Sequence, residues 1–307
     1  MSAGGTVVQR SERSATLPAP VRELYPWTGH TITGADGLAQ HFLDEGTGPV
    51  VLMVHGNPTW SFYYRDMVRE LSRDHRCIVP DHMGCGLSDK PATWGYRIPD
   101  HVDQLCALIE ALDLRDITLM VHDWGGAIGY AAAIRMPHRF RRFVVFNTGA
   151  FLLPLPASLR ALRIPGYGHL VVQGLNGFLR LGMAFAVGHR ERFTGAVRDG
   201  YFAPYGSWAD RQVIRRFIEE IPIEADHPNR ALLQTLDQGL PALTGLPHLV
   251  CWGIRDWVFH PGYLEGWRER LPGGEFHVFD DCSHWVVDEA SERILPLVRD
   301  FLGRHPL

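Results

Sequence analysis

Leu119-Met120-Val121-His122-Asp123-Trp124-Gly125-Gly126 decides how the rest of this chain is read. The apolar run Ile117 to Val121 predicts a buried parallel strand, and the small and apolar residues Ala127 to Met136 predict a helix. Between them a small/polar-x-Asp-x-Gly-Gly pattern marks a sharp strand-to-helix turn, the frame of a nucleophile elbow. Glycines belong there because the turn is strained and the helix passes close to the strand. The usual occupant of the apex is serine; here it is Asp123, and no G-x-S-x-G occurs in the chain. A serine hydroxyl needs a base to lose its proton, whereas an aspartate is already ionised at neutral pH. Asp123 is therefore expected to attack as a carboxylate and form an ester, which suits displacement at a saturated carbon.

Outward from the turn, strands and helices alternate. Thr31–Ile32 and Ala39–Asp44 read as an opening pair around Gly34-Ala35-Asp36-Gly37, and Val50 to Val54 as a buried strand. Helices are expected over 61–71 and 99–112, with a short strand Cys77 to Pro80 between them. Phe143–Phe146, His248–Trp252 and Glu275–Phe279 complete the strands, and a closing helix is expected over 286–302. The alternation predicts an α/β fold, a mostly parallel central sheet with helices on both faces, and such sheets carry their sites at the strands' carboxyl ends.

Between Gly149 and about Asn229 no buried strand pattern appears, and prolines from Pro154 to Pro222 punctuate helical stretches. This predicts an inserted helical cap over 149–229 on a core of 25–148 and 230–307, behind a disordered tail over 1–24. The cap aromatics Phe151, Tyr167, Phe178, Phe185, Phe202, Tyr205 and Trp208 are candidates for an apolar pocket.

Composition narrows the function. The formal charge of −4 offers no basic footprint for nucleic acid. Five scattered cysteines with no C-x-x-C pair give neither a zinc site nor a disulfide framework, so no metal or other cofactor is expected. No apolar run is long enough to span a bilayer and the N-terminus lacks a signal-peptide core, so a cytoplasmic protein is expected.

The elbow architecture runs in the order nucleophile, acid, histidine. His284, in the loop after the last strand, is the expected base that activates water. Asn147-Thr148-Gly149 holds no carboxylate, which leaves Asp256 as the acid orienting the imidazole. Asp280 and Asp281 read as turn residues. Asn57 and Trp124 hold the places of the oxyanion donors, and both also carry neutral side-chain N–H groups suited to a large, soft anion such as a halide.

His55-Gly56-Asn57-Pro58-Thr59-Trp60-Ser61, Asp81-His82-Met83-Gly84-Cys85-Gly86-Leu87-Ser88-Asp89-Lys90-Pro91 and Val121-His122-Asp123-Trp124-Gly125-Gly126 resemble the haloalkane dehalogenase family of α/β-hydrolases, over roughly Tyr25 to Leu302. The resemblance implies Asp123 as nucleophile, His284 as base, Asp256 as acid, and Asn57 and Trp124 as halide donors. An acid after the strand His248–Trp252 together with an Asn-plus-Trp pair is similar to the third dehalogenase subfamily. That group in turn resembles the β-lactone decarboxylases of long-chain olefin biosynthesis, which keep the same five residues. The leading expectation is thus a hydrolase releasing halide from an alkyl halide, and the alternative a lyase releasing CO2 from a β-lactone. Epoxide hydrolases, which share the elbow and use two cap tyrosines, come third: Tyr167, Tyr201 and Tyr205 fit no matching spacing. A non-catalytic binding protein of the same fold is disfavoured by the complete Asp123, Asp256 and His284 set. The partners implied are a small apolar substrate and a halide ion, and a homo-oligomer is compatible with the sequence.

Overall fold

A computed structural model describes residues 7–155 and 157–307. Nine strands form one sheet: β1 (Val7–Arg10), β2 (His30–Thr33), β3 (Ala39–Glu45), β4 (Val50–Val54), β5 (Arg76–Pro80), β6 (Ile117–Asp123), β7 (Phe140–Thr148), β8 (His248–Gly253) and β9 (Glu275–Phe279). Their spatial order is β1-β2-β3-β5-β4-β6-β7-β8-β9. The first three pair antiparallel as far as β5, and everything from β5 to β9 is parallel. Every residue of β6 and β8 is buried, as expected where helices cover both faces of a parallel sheet.

The order places β4, β6, β7 and β8 side by side. Their carboxyl ends therefore bring His55-Gly56-Asn57, Asp123, Asn147-Thr148 and Gly253 to Asp256 to one rim. Between β7 and β8 the described residues form only helices and turns, including the helices Gly177–Phe185, Gly195–Phe202, Gln212–Glu219 and Pro228–Gly239. This helical segment lies over the same rim: Asn57 Nδ2 donates to the Ile214 carbonyl at 3.3 Å, and the His284 N–H to the Ala186 carbonyl at 3.1 Å.

The expected tail is corrected by the structure. Residues 1–6 lie outside the described residues, but 7–24 are folded. All of β1 is exposed, so it lacks the alternating apolar pattern by which strands are recognised; main-chain pairing with β2 holds it. The short helix Ala19–Leu24 buries only Val21, and the extended Leu17 just before it is the other buried apolar residue of the segment. Two apolar residues in a Ser- and Arg-rich stretch are too weak a period to read. The 61–71 stretch is a 3-10 turn leading into the helix Arg65–Leu71, and the closing helix is broken into Val286–Glu289 and Ser291–Arg304.

If residues 7–24 belong to the core, Leu17→Ala should lower the unfolding free energy by about 2–4 kcal/mol, as for other buried leucines. Urea denaturation measures this directly. A loss under about 0.5 kcal/mol, the size of an ordinary surface substitution, would return the segment to the status of a tail.

Candidate active site

Asp123 is the last residue of β6 and the residue before the helix Trp124–Arg135, and its φ is +52°. A non-glycine residue in that region costs on the order of 1–3 kcal/mol and persists only where surrounding contacts over-determine it. Here they do. The Thr148 hydroxyl, at the end of β7, donates a short hydrogen bond to the Asp123 carbonyl. The Asn57 backbone N–H donates to Asp123 Oδ1 at 2.6 Å. A Cβ on Gly125 would collide with the Val54 carbonyl, and one on Gly126 with the Thr148 hydroxyl, so both glycines are required by close approach. Burial pushes the Asp123 carboxyl above the ordinary carboxylate range, while His284 and the backbone N–H groups of Asn57 and Trp124 pull it back. The backbone N–H groups of Asn57 and Trp124 thus both hold the Asp123 carboxylate itself.

His284 Nδ1 lies 2.8 Å from Asp256 Oδ2, and its Nε2 lies 3.6 Å from Asp123 Oδ2. The carboxylate of Asp256 accepts from the Nδ1 side, so Nε2 faces Asp123. Asp256 Oδ1 accepts the backbone N–H groups of Val258 at 2.7 Å and Phe259 at 3.1 Å, which fixes its carboxylate independently of the histidine. Asn147 adds a bond that the sequence did not reveal: its Nδ2 donates to Asp256 Oδ2 at 3.0 Å and to the Gly253 carbonyl at 2.9 Å, while its Oδ1 accepts the Gly253 N–H at 2.8 Å. Burial works against the His284 imidazolium, but Asp256, Asp123 and Glu289 outweigh it and raise the pKa above the ordinary imidazole value. Asp281 instead pairs with Arg293 and His189 on the surface, while the Asp280 carbonyl accepts from Arg255.

Two further groups hold the histidine loop. His122, beside Asp123, has its Nε2 2.8 Å from the His284 carbonyl, and a carbonyl can only accept. His122 is therefore a neutral donor, in keeping with burial, which drives its pKa well below the ordinary value. Glu289 accepts the N–H groups of Ser283, Gly188 and His189 at 3.1, 2.7 and 3.2 Å, tying the loop to the helical segment. Glu289 was not anticipated, since a glutamate early in a helix reads as solvated.

Above Asp123 the cavity divides. One arm, of about 320 Å³, runs past Tyr167, Phe178, Leu181, Phe185 and Trp285. A smaller one, of about 70 Å³, is lined by Phe151, Leu233, Phe259 and Tyr263. Asp123, Trp124, Leu159, Ile221 and Val258 line both, so the arms meet at the carboxylate. Of the expected aromatics, Phe202, Tyr205 and Trp208 line neither. The Trp124 indole N–H has no hydrogen-bond partner among the described residues and is the open donor; the Asn57 amide already gives one hydrogen to Ile214. Of the three tyrosines weighed for epoxide opening, only Tyr167 lines either of these two cavities, and the Tyr201 hydroxyl is bound to Asp288. A buried carboxylate with an ion-paired histidine behind it can attack an electrophilic carbon and hold the resulting ester among apolar walls.

Comparison with known proteins agrees with the architecture. Residues 49–178 match the model of the alpha/beta hydrolase fold family. The chain is 41% identical to a cis-3-alkyl-4-alkyloxetan-2-one decarboxylase of Shewanella oneidensis, over 91% of this chain and 89% of that protein. It is 31% identical to haloalkane dehalogenase 2 of Mycobacterium bovis, over 92% and 98%. Among solved structures, the haloalkane dehalogenase DatA of Agrobacterium tumefaciens superposes with a TM-score of 0.78 at 26% identity, covering 89% of this chain and 96% of that one.

The ion pair behind Asp123 has a direct readout. Asp256→Asn removes the largest of the charges that offset burial, so the His284 pKa should fall. NMR titration of the imidazole follows this without any substrate. An unchanged His284 titration would mean that Asp256 does not set its charge.

Proposed function

Because the chain belongs to the α/β-hydrolase fold family, in the group that joins the haloalkane dehalogenases to the oxetanone decarboxylases, we propose that it converts a β-lactone bearing two alkyl chains to an olefin and CO2, with Asp123 as nucleophile. The observation that carries this reading is the pair of apolar cavities that share Asp123 in their lining but are otherwise walled by different residues. A lactone substituted on both ring carbons has two chains to house, one on each side of the reacting bond. A linear alkyl halide needs only one arm. The 41% identity to a decarboxylase of such a lactone, against 31% to a dehalogenase, supports the same choice.

The chemistry follows from a carboxylate that needs no deprotonation. Asp123 attacks the ring carbon that bears oxygen; the new C–O bond forms as the ring C–O bond breaks, and its electrons become the substrate's own carboxylate. That carboxylate meets the open Trp124 indole N–H. The C–CO2 bond then breaks, its electron pair forms the double bond, and the ester C–O bond breaks to return Asp123 as a carboxylate. No water enters. His284, held as an imidazolium by Asp256, balances the negative charge that returns to Asp123, and the apolar walls keep water from the ester. Inversion at the attacked carbon followed by anti elimination preserves the chains' relative placement, so a cis lactone gives a cis olefin.

The free Trp124 donor also favours a second reading, since a departing halide fits where the carboxylate would. There, neutral His284 removes a proton from water, hydroxide adds to the Asp123 ester carbonyl, and the alcohol leaves with that proton.

Incubation with a cis-dialkyl β-lactone should yield cis olefin and CO2 in equal amounts, and Asp123→Asn should reduce turnover by at least about a thousandfold. Halide release from bromoalkanes with no olefin from the lactone would overturn the reading in favour of dehalogenation, in which case His284→Phe should accumulate an alkyl ester on Asp123. Full activity in freshly purified Asp123→Asn would remove the nucleophile assignment. The pH profile separates the two chemistries as well. Hydrolysis needs neutral His284 and should fall about tenfold per pH unit below its raised pKa, whereas olefin formation should persist there until Asp123 itself protonates.

A further inference from the structure

The stretch 150–190 contains no aspartate or glutamate and four arginines, Arg160, Arg163, Arg180 and Arg190, in a chain whose net charge is −4. Arg163 is paired, with Glu224 at 2.8 Å. Arg160, Arg180 and Arg190 are exposed and have no carboxylate partner among the described residues. Elsewhere such pairing is usual, as between Arg76 and Asp44 or Arg270 and Asp237. The same stretch carries five of the ten exposed large apolar side chains among the described residues: Ile164, Leu170, Leu175, Leu181 and Phe185. Leu170, Leu175 and Phe185 are 69%, 67% and 65% exposed. Scattered apolar residues are ordinary on a surface, but a cluster rimmed by charge marks a contact.

The arginines lie against the apolar residues. The Arg190 guanidinium lies 6.0 Å from the centre of the Phe185 ring, and Arg180 Nε donates to the Leu175 carbonyl at 3.0 Å. The cluster is also continuous with the cavity, because Leu181 and Phe185 line the larger arm while remaining exposed. None of the described helices is long and apolar enough to cross a membrane, so any attachment through this face is interfacial.

We propose that this face of the helical segment docks on an anionic lipid surface. Leu170, Leu175 and Phe185 enter the boundary between headgroups and acyl chains, and Arg180 and Arg190 lie among the phosphates. The mouth of the larger arm then opens at the lipid, and a substrate too apolar for water passes directly from bilayer to pocket. This inference rests on the exposed patch and the pocket's apolar lining, not on which reaction Asp123 performs, so binding and activity can fail separately.

The test is sedimentation of the full chain with phosphatidylcholine vesicles, with and without phosphatidylglycerol, at low and high salt. Binding is expected to the mixed vesicles and to weaken with salt. The double variant Arg180→Glu, Arg190→Glu should bind the mixed vesicles at least about tenfold more weakly. Leu170→Ser with Leu175→Ser should weaken binding with the fold intact by circular dichroism. All four residues lie outside the cavities, so turnover of a short, water-soluble substrate should be unchanged. Wild-type protein that stays in solution with both vesicle types would overturn the proposal, and a dimer lost in Leu170→Ser, Leu175→Ser would then assign the patch to a second copy of the chain. Equal binding to both vesicle types, unaffected by the arginine variants, would also overturn it.

Discussion

The structure turns on one strained residue. Asp123 sits at positive φ between a strand and a helix, and the contacts that force it there are also those that define the site. A hydrogen bond to a charged group contributes about 1.5–3 kcal/mol, so the Asn57 N–H on the Asp123 carboxylate is by itself comparable to the strain. The Thr148 hydroxyl on the Asp123 carbonyl adds to it, and Trp267 Nε1 donates to the Thr148 carbonyl at 2.9 Å, so the last turn of β7 is held from both sides. The parallel register of β4, β6 and β7 makes these contacts available at all. The apex carboxylate thus points into the cavity with its backbone fixed from two neighbouring strands.

The remaining polar groups near the apex follow from the cost of burying charge. An ionised side chain out of water must be paired or richly hydrogen-bonded. Asp256 meets this with His284, two backbone N–H groups and Asn147. Asp81 meets it under the Gly-rich loop: it accepts the N–H groups of Ser61 and Leu87 at 2.7 and 2.9 Å and faces His41 at 2.9 Å. Burial raises the Asp81 pKa, but these partners outweigh it and the net direction is down. His55, His82 and His122, buried without a carboxylate in contact, are shifted downward, and neutral rings serve them as hydrogen-bond spacers. Among these buried histidines only His284 is raised, and it alone faces two carboxylates.

Legibility in the sequence followed the range of the interaction. The elbow was readable because strand, apex and two glycines are consecutive. The neighbouring strands were readable because burial on both faces leaves continuous apolar runs. The acid and histidine were placed by chain order, and the structure brings Asp123, Asp256 and His284 together. Asn147 was noted only as lacking a charge; its bond to Asp256 spans 109 positions, and a strand-end asparagine has no local signature. Residues 7–24 were misread because an exposed edge strand has no apolar period. The divided cavity was illegible for a different reason: it depends on how the helical segment packs against Ile221, Val258 and Leu159, and helical periodicity says which face is apolar but not what it meets.

The central claim is that Asp123 becomes covalently bonded to the substrate. Rapid quenching of wild-type protein with a cis-dialkyl β-lactone, followed by peptide mass analysis, tests it most directly. The peptide containing Asp123 should gain the full mass of the lactone, carboxylate retained, and lose it at the rate at which olefin appears. An unmodified Asp123 throughout olefin formation, or the added mass on another residue, would contradict the account.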